Sequence, residues 1–275
     1  MIRIITDSTS EISIEKAKEL NIDVVALNII FDNVTYKDQI DLEVNEFYEK
    51  LKCVDKLPTT SQPSPNEFLD IFEKYKGDTI IGIFLSSKLS GTFQSAYIAK
   101  NMIDDNNNIH LIDSKTATLG IQVLVMHAVK LRDANEDAKV IVNEINKLLD
   151  RVKVIAYVDT IKYLKMGGRI NGVKALLSTS LGISPLIGVE DGVIVSVNKT
   201  RGKNKANNLM IKYTQSYPID ENHVVVYGHA NCYNYLINFI DKHNYSNEYN
   251  ISEIGAVIGT HSGPNAYGIA YISKV

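Results

Sequence analysis

Four short apolar runs rich in β-branched residues, Ile2–Thr6, Val24–Ile30, Thr79–Leu85 and Ile109–Asp113, constrain this chain most. Segments with helical spacing separate them: Ile14–Leu20, Asn66–Tyr75, Phe93–Met102 and Thr118–Arg132. Runs of this length and composition read as strands, and the 3.6-residue spacing between them as helices. Strands alternating with helices predict right-handed crossovers and a mostly parallel sheet. One helix start is well signalled, because Ser64 can cap, Pro65 suits the first helical position and Glu67 completes a capping box. A further helix with Ala138, Val142, Ile145 and Leu149 on one side leads to a strand at Val154–Val158.

From about Thr160 the texture changes to glycine and short strands: Val193–Val197, His223–Tyr227, Glu253–Ile258 and Gly268–Ile272. Helical patterns persist near Lys205–Thr214 and Tyr233–Lys242. A chain of 275 residues is long for one compact core. The expected architecture is therefore α/β with two domains. Residues 1–155 form a mostly parallel sheet with flanking helices, and residues 156–275 form an α/β domain with a more antiparallel sheet.

Charge and cysteine usage narrow the function. A net charge of −3 argues against a nucleic-acid partner, which demands a basic surface. The opening Met1-Ile2-Arg3-Ile4-Ile5-Thr6-Asp7 reads as a first strand rather than a signal peptide. No apolar run reaches the ~20 residues that span a bilayer, so stable membrane insertion is not expected. Cys53 and Cys232 offer neither a disulfide framework nor metal spacing, and a reducing cytoplasm is the expected compartment. No metal or cofactor is expected. The P-loop, the dinucleotide-binding glycine fingerprint and the G-x-S-x-G nucleophile elbow are all missing from the sequence.

Two loops set hydroxyls beside helix starts: Thr59-Thr60-Ser61-Gln62-Pro63-Ser64, and Ser86-Ser87-Lys88-Leu89-Ser90-Gly91-Thr92. Unpaired N–H groups and the helix dipole favour an anion there, and Gly91 permits close backbone approach. In open parallel sheets ligands also sit at the carboxyl ends of the strands. Each loop taken alone reads more readily as an ordinary helix cap. A third segment, Gly259-Thr260-His261-Ser262-Gly263-Pro264-Asn265, places a histidine between hydroxyl residues just past the expected strand at Ala256-Val257-Ile258. Lys165-Met166-Gly167-Gly168-Arg169 and Lys199-Thr200-Arg201-Gly202-Lys203 are glycine-flanked basic loops, suited to phosphate, to an acidic partner, or simply to solvent.

Together, Ile5-Thr6-Asp7-Ser8-Thr9-Ser10, Thr59 to Ser64, Ser87 to Ala96, Ile112-Asp113-Ser114, Gly167-Gly168-Arg169-Ile170 and Gly259 to Pro264 resemble the signature blocks of the DegV family, in the family's order. The resemblance implies two domains with a long-chain fatty acid in a tunnel between them. It also implies a non-catalytic binding subunit of a bacterial fatty acid kinase system (the FakB type) serving phospholipid metabolism. The partner would be an ATP-dependent, dihydroxyacetone-kinase-like subunit that phosphorylates the bound carboxylate. By similarity Thr60, Ser61 and Ser90 contact the carboxylate, Gly91 and Thr92 belong to the same loop, and His261 approaches from the second domain. Arg169 and Arg201 match basic positions facing the kinase. Asn265 and Tyr267 depart from the family pattern, which has glycine and Leu or Ile there.

Neutral hydroxyls and one histidine suit a kinase acceptor, because an arginine clamp would stabilise the carboxylate and lower its reactivity. Positioning and charge stabilisation dominate phosphoryl transfer, so the partner can bring the metal and ATP. Burying ~14 methylenes at ~0.8 kcal/mol each gives a gross term near ~11 kcal/mol, cut considerably by ordering costs. Ala175-Leu176-Leu177 and Leu181 to Ile187 are candidate tunnel walls, or ordinary core. The competing expectation is a serine hydrolase or acyltransferase using Ser90 and His261, which requires an elbow and a residue that orients the histidine.

Overall fold

The computed structural model describes residues 1–54, 56–104, 106–170, 173 and 183–274. Strands β1 (Ile2–Asp7), β2 (Ile22–Val25), β6 (Thr79–Phe84) and β7 (Ile109–Asp113) form an all-parallel sheet in the order β2-β1-β6-β7. Crossovers are supplied by helices α1 (Ile14–Glu19), α3 (Pro65–Lys74) and α4 (Thr92–Asn101). The expected capping box on α3 forms: the Ser64 N–H donates to Glu67 Oε2 over 2.8 Å. Phe68 and Phe72, one turn apart, bury one face of that helix against Phe84 and Ala96.

The expected strand Val24–Ile30 is two strands. After β2 the chain turns at Ala26-Leu27, where the Leu27 N–H donates to the Ser8 hydroxyl and its carbonyl accepts from the Asp38 N–H. Strand β3 (Asn28–Phe31) then joins β4 (Val34–Lys37) and β5 (Thr59–Ser61) in a separate antiparallel sheet, with Thr60 opposite Ile29. A three-residue strand of threonine and serine has no periodic signal, so β5 was not foreseen.

The second sheet is mixed and runs β10 (Val193–Thr200), β9 (Ser184–Glu190), β8 (Val152–Tyr157), β13 (Tyr267–Ile272), β11 (Val225–His229), β12 (Tyr249–Glu253). Only β11 and β12 pair parallel; the other neighbours are antiparallel. All of β8 belongs to this sheet, so the sheets part company before Val152. The outer face carries a tyrosine-rich core (Tyr157, Tyr227, Tyr267, Tyr271) under α8 (Lys203–Ser216) and α9 (Tyr233–His243).

Helix α5 (Leu119–Asp133) lies between the two sheets and is buried along nearly its whole first half. The largest apolar cluster therefore draws on both halves, from Ile4 and Ile81 to Val154 and Ala270. Helix α6 (Ala138–Leu148) covers it from outside with Ile141, Ile145 and Leu148. The expected strand at Glu253–Ile258 is a correction: β12 ends at Glu253, and Ala256–Ser262 is a helix, α10. Among the described residues no helix is long and apolar enough to cross a membrane.

Candidate functional site

Helix α10 owes its place to two carboxylates from the other half of the chain. Glu11 Oε2 accepts from the Gly255 N–H (2.7 Å), and Asp38 Oδ1 from the Ala256 N–H (3.3 Å). These occupy orphan donors of the helix start, which a carboxyl oxygen can do even while the buried acid keeps its proton. Helix α2 (Val44–Cys53) adds a third tie, the Tyr48 hydroxyl donating to the Ile254 carbonyl over 2.9 Å. Any Cβ at Gly259 would lie 2.7 Å from Phe47 and from Tyr48 Oη, so only glycine permits this close packing of α10 on α2. Buried Asp7 does the same for the next loop: it accepts from the Thr9 N–H and from the Leu85 N–H (2.8 Å) at the end of β6. The block Ile5 to Ser10 is thus the frame on which the site loops are hung.

His261 lies in the last turn of α10, not just past a strand. Its Nε2 is 2.9 Å from Thr60 Oγ1 on β5, which joins segments 201 residues apart. Nδ1 is buried with no hydrogen-bond partner among the described residues and faces Gly167, where an added Cβ would lie 2.1 Å away. Burial, and secondarily the charge of Arg169, push the imidazole down to about 4. The ring is therefore neutral at pH 7, as expected where a second N–H would be buried and unpaired.

Ser90 Oγ is 2.9 Å from Thr92 Oγ1, and the Thr92 N–H points at the same oxygen over 3.4 Å. Ser61 Oγ accepts from Asn28 Nδ2 over 3.1 Å. Thr60, Ser61, Ser90 and His261 all line one cavity, whose space amounts to about 1100 Å³ with open solvent at its mouth included. The rest of the lining is mainly apolar, with Leu27, Leu85 and Val257 on one side and Val154, Ile187 and Ile269 on the other. Thr92 is buried and supports Ser90 from outside the lining; Gly91 packs against the Gln62 side chain, whose Nε2 would be 2.5 Å from a Cβ there. Gln62 itself lines the cavity and was missed, since a lone glutamine in a loop carries no pattern.

The glycine-flanked basic loops behave differently from one another. Arg201 is exposed, as its sequence context suggested. Arg169 is a correction: it is half-buried and lines the cavity, with Nε donating to the Leu89 carbonyl (3.1 Å) and Nη1 to the Gly167 carbonyl (2.6 Å). A cation therefore stands beside the hydroxyls after all, with two of its donors already committed to backbone. Of the candidate walls, Ile187 lines the cavity, Leu186 turns into the tyrosine-rich core, and residues 175–177, 181 and 182 lie outside the described residues.

A hydrolytic triad is not assembled here. Among the described residues Ser90 and His261 each bond a threonine rather than one another, and Nδ1 has no carboxylate to which it could donate. Ser90 is not among the residues with positive φ, so it lacks the strained turn of a nucleophile elbow. Among the described residues no group of three or more His, Cys, Asp or Glu side chains is placed to hold a metal.

Comparison with known proteins covers the whole chain. The model of the DegV family, described as uncharacterised, matches residues 1–274. A DegV domain-containing protein of Caldanaerobacter subterraneus subsp. tengcongensis is 36% identical, with 99% of each chain covered. Among solved structures, one described as fatty acid binding of a DegV family protein from Thermus thermophilus is 27% identical, with a TM-score of 0.91 and 99% of each chain covered. Another, described as DegV, a fatty acid binding protein from Bacillus subtilis, is 31% identical with a TM-score of 0.85 and 99% of each chain covered.

Proposed function

Because this chain belongs to the DegV family, we propose that it binds a long-chain fatty acid in the cavity between its two halves. The observation that carries this reading is one cavity with two chemistries. Hydroxyls of Thr60, Ser61 and Ser90 and the neutral imidazole of His261 gather in a lining that is otherwise mainly aliphatic. An amphiphile with one small polar end matches that division, and fatty acids bound by solved relatives support it. The hydroxyls donate to the carboxylate, His261 and Thr60 hold one another in place, and Arg169 adds positive potential without forming a bidentate clamp. Charge-assisted bonds from neutral donors orient the anion and leave it nucleophilic.

Native mass spectrometry of protein purified from cells, followed by lipid extraction, tests the reading. One fatty acid per chain is expected; a phosphate, a sugar or no ligand would sink it. Ser90→Ala removes one donor of several and should weaken fatty-acid binding by ~0.5–3 kcal/mol, measured by displacement titration. Unchanged affinity would reduce Ser90 to a helix cap.

The same site suits presentation of the carboxylate to an ATP-dependent kinase subunit, which would convert it to an acyl phosphate for phospholipid metabolism in the cytoplasm. Arg201, exposed on the loop after β10, is the docking candidate that remains outside the cavity. Arg201→Ala should leave fatty-acid affinity intact and slow acyl-phosphate formation. The defect should be relieved by excess kinase and imitated by salt, because rim charges act through association rate. Loss of fatty acid from this variant would place Arg201 in the pocket instead.

A further inference from the structure

We propose that the open edge of β12 binds a second copy of this chain, whose own β12 pairs antiparallel with it about a twofold axis at Ile251. Among the described residues β12 ends the six-stranded sheet and pairs only with β11. The Ile254 N–H donates to the His229 carbonyl over 2.8 Å, so Asn250, Ser252 and Ile254 turn their backbone groups towards β11. Alternate residues of a strand direct those groups to opposite sides, and Tyr249, Ile251 and Glu253 therefore point theirs outward. Such an edge is a template for another strand. The far edge of the sheet, β10, is blunted by a bulge between Ser196 and Asn198 and by Lys199. β12 keeps an unbroken register and contains neither lysine nor proline.

Room for a strand lies alongside. Two clefts, of about 970 and 990 Å³ with open solvent included, flank β12 and share Asn250 and Met126 of α5. Tyr249 and Ile251 are both exposed beside them.

The order of side chains selects a second copy as the occupant. An axis at Ile251 sets Ile251 against the partner's Ile251, Tyr249 against the partner's Glu253, and Asn250 against the partner's Ser252. Apolar meets apolar, and each polar group gains a complement. Partial burial raises the Glu253 carboxyl, which has no hydrogen bond among the described residues to offset it. The partner's Tyr249 hydroxyl can donate to that carboxyl. The Ser252 hydroxyl donates to Gln122 Oε1 over 2.9 Å, which leaves its oxygen able to accept from the partner's Asn250 amide.

Other registers are excluded by the same residues. A shift of the axis by one residue would call on backbone groups already bonded to β11. An axis at Glu253 would bring two carboxylates face to face, and one at Tyr249 would set Ile251 against Asn247. Pairing at Ile251 joins the two sheets into one, with a β10 strand at each outer edge. Arg201, on the loop after β10, thus stays clear of the contact in both copies.

Sedimentation velocity of the purified full chain, from micromolar to millimolar concentration, tests the proposal. A reversible monomer–dimer equilibrium is expected. Ile251→Lys should weaken it at least about tenfold, because two like charges then meet on the axis. Ser196→Lys, on the β10 edge, should leave it unchanged. A second readout fixes the register. In a Cys53→Ser background, air oxidation should link Ile251→Cys to its own copy, across about 5.5 Å between Cα atoms. Tyr249→Cys should not link to itself, since its two copies stand about 14 Å apart. A wild-type chain that stays monomeric at millimolar concentration overturns the proposal, as does a dimer that Ile251→Lys leaves intact. Self-linked Tyr249→Cys beside unlinked Ile251→Cys overturns the axis at Ile251.

Discussion

Gly167→Ala is expected to lower fatty-acid affinity about 10- to 100-fold while leaving the fold in place. The new Cβ would lie 2.1 Å from His261 Nδ1 and 2.7 Å from Cε1, so the imidazole must leave its seat. With it goes the 2.9 Å contact between Nε2 and Thr60 Oγ1. Losing one such bond and leaving its partner unsatisfied costs about 1–3 kcal/mol, which is the stated range in affinity. The backbone itself does not resist, because Gly167 has φ −75° and ψ −6°, a conformation any residue adopts. Displacement titration should therefore report a large loss, and the urea midpoint should fall with it, because the Thr60–His261 bond is lost from the folded chain itself. Affinity equal to wild type, with His261 shown by NMR to have moved, would remove the imidazole from the head-group site.

Asp38→Asn is expected to change the pH dependence of stability more than any other single exchange named here. Burial raises the Asp38 carboxyl to about 7 against several lowering hydrogen bonds, and Glu11 is raised well above its usual value for the same reason. Below the unfolded value of 3.8 both states hold the Asp38 proton, and the contribution to stability is fully present. As pH rises from there to about 7, the unfolded chain ionises while the folded chain keeps its proton, so the contribution is progressively lost. Its slope is at most about 1.4 kcal/mol per pH unit. Histidines act in the opposite sense: His127 and His261, both lowered to about 4 mainly by burial, take stability away as pH falls from 6.5. The wild-type profile alone is thus ambiguous, and the difference between variant and wild type isolates Asp38. Asparagine can still accept from the Ala256 N–H and has no charge to bury. The variant should gain on wild type by at least about 2 kcal/mol between pH 4 and pH 7 in urea titrations. A difference independent of pH would mean that the folded protein keeps Asp38 ionised throughout, held by the start of α10.

The buried acids also explain where sequence reasoning stopped. The parallel sheet and its helices were legible because their signals are local: β-branched runs, helical spacing, and a capping box within four residues. The hydroxyl loops were legible for the same reason, and the six blocks in order pointed to the family. Helix α10 was misread, since Ala256-Val257-Ile258 has the composition of a strand. What makes it a helix is a pair of carboxylates 244 and 218 residues away that occupy its first N–H groups.

Arg169 was misjudged by a similar route. Flanking glycines suggested an exposed turn, whereas carbonyls of Leu89 and Gly167 draw the guanidinium into the cavity. The tail walls were harder still, because alternate residues of one strand serve different sides of the sheet: Ile187 faces the cavity and Leu186 the tyrosine-rich core. Which of two adjacent apolar residues meets a ligand depends on strand register, and a one-residue shift exchanges them. By itself, then, the sequence determined the kinds of element, their order, and the polar loops that a carboxylate would meet. The tertiary structure decided which elements close on one another, because the contacts that join Thr60 to His261, Glu11 to Gly255 and Leu119 to Gly228 bridge separations over which no local pattern carries information.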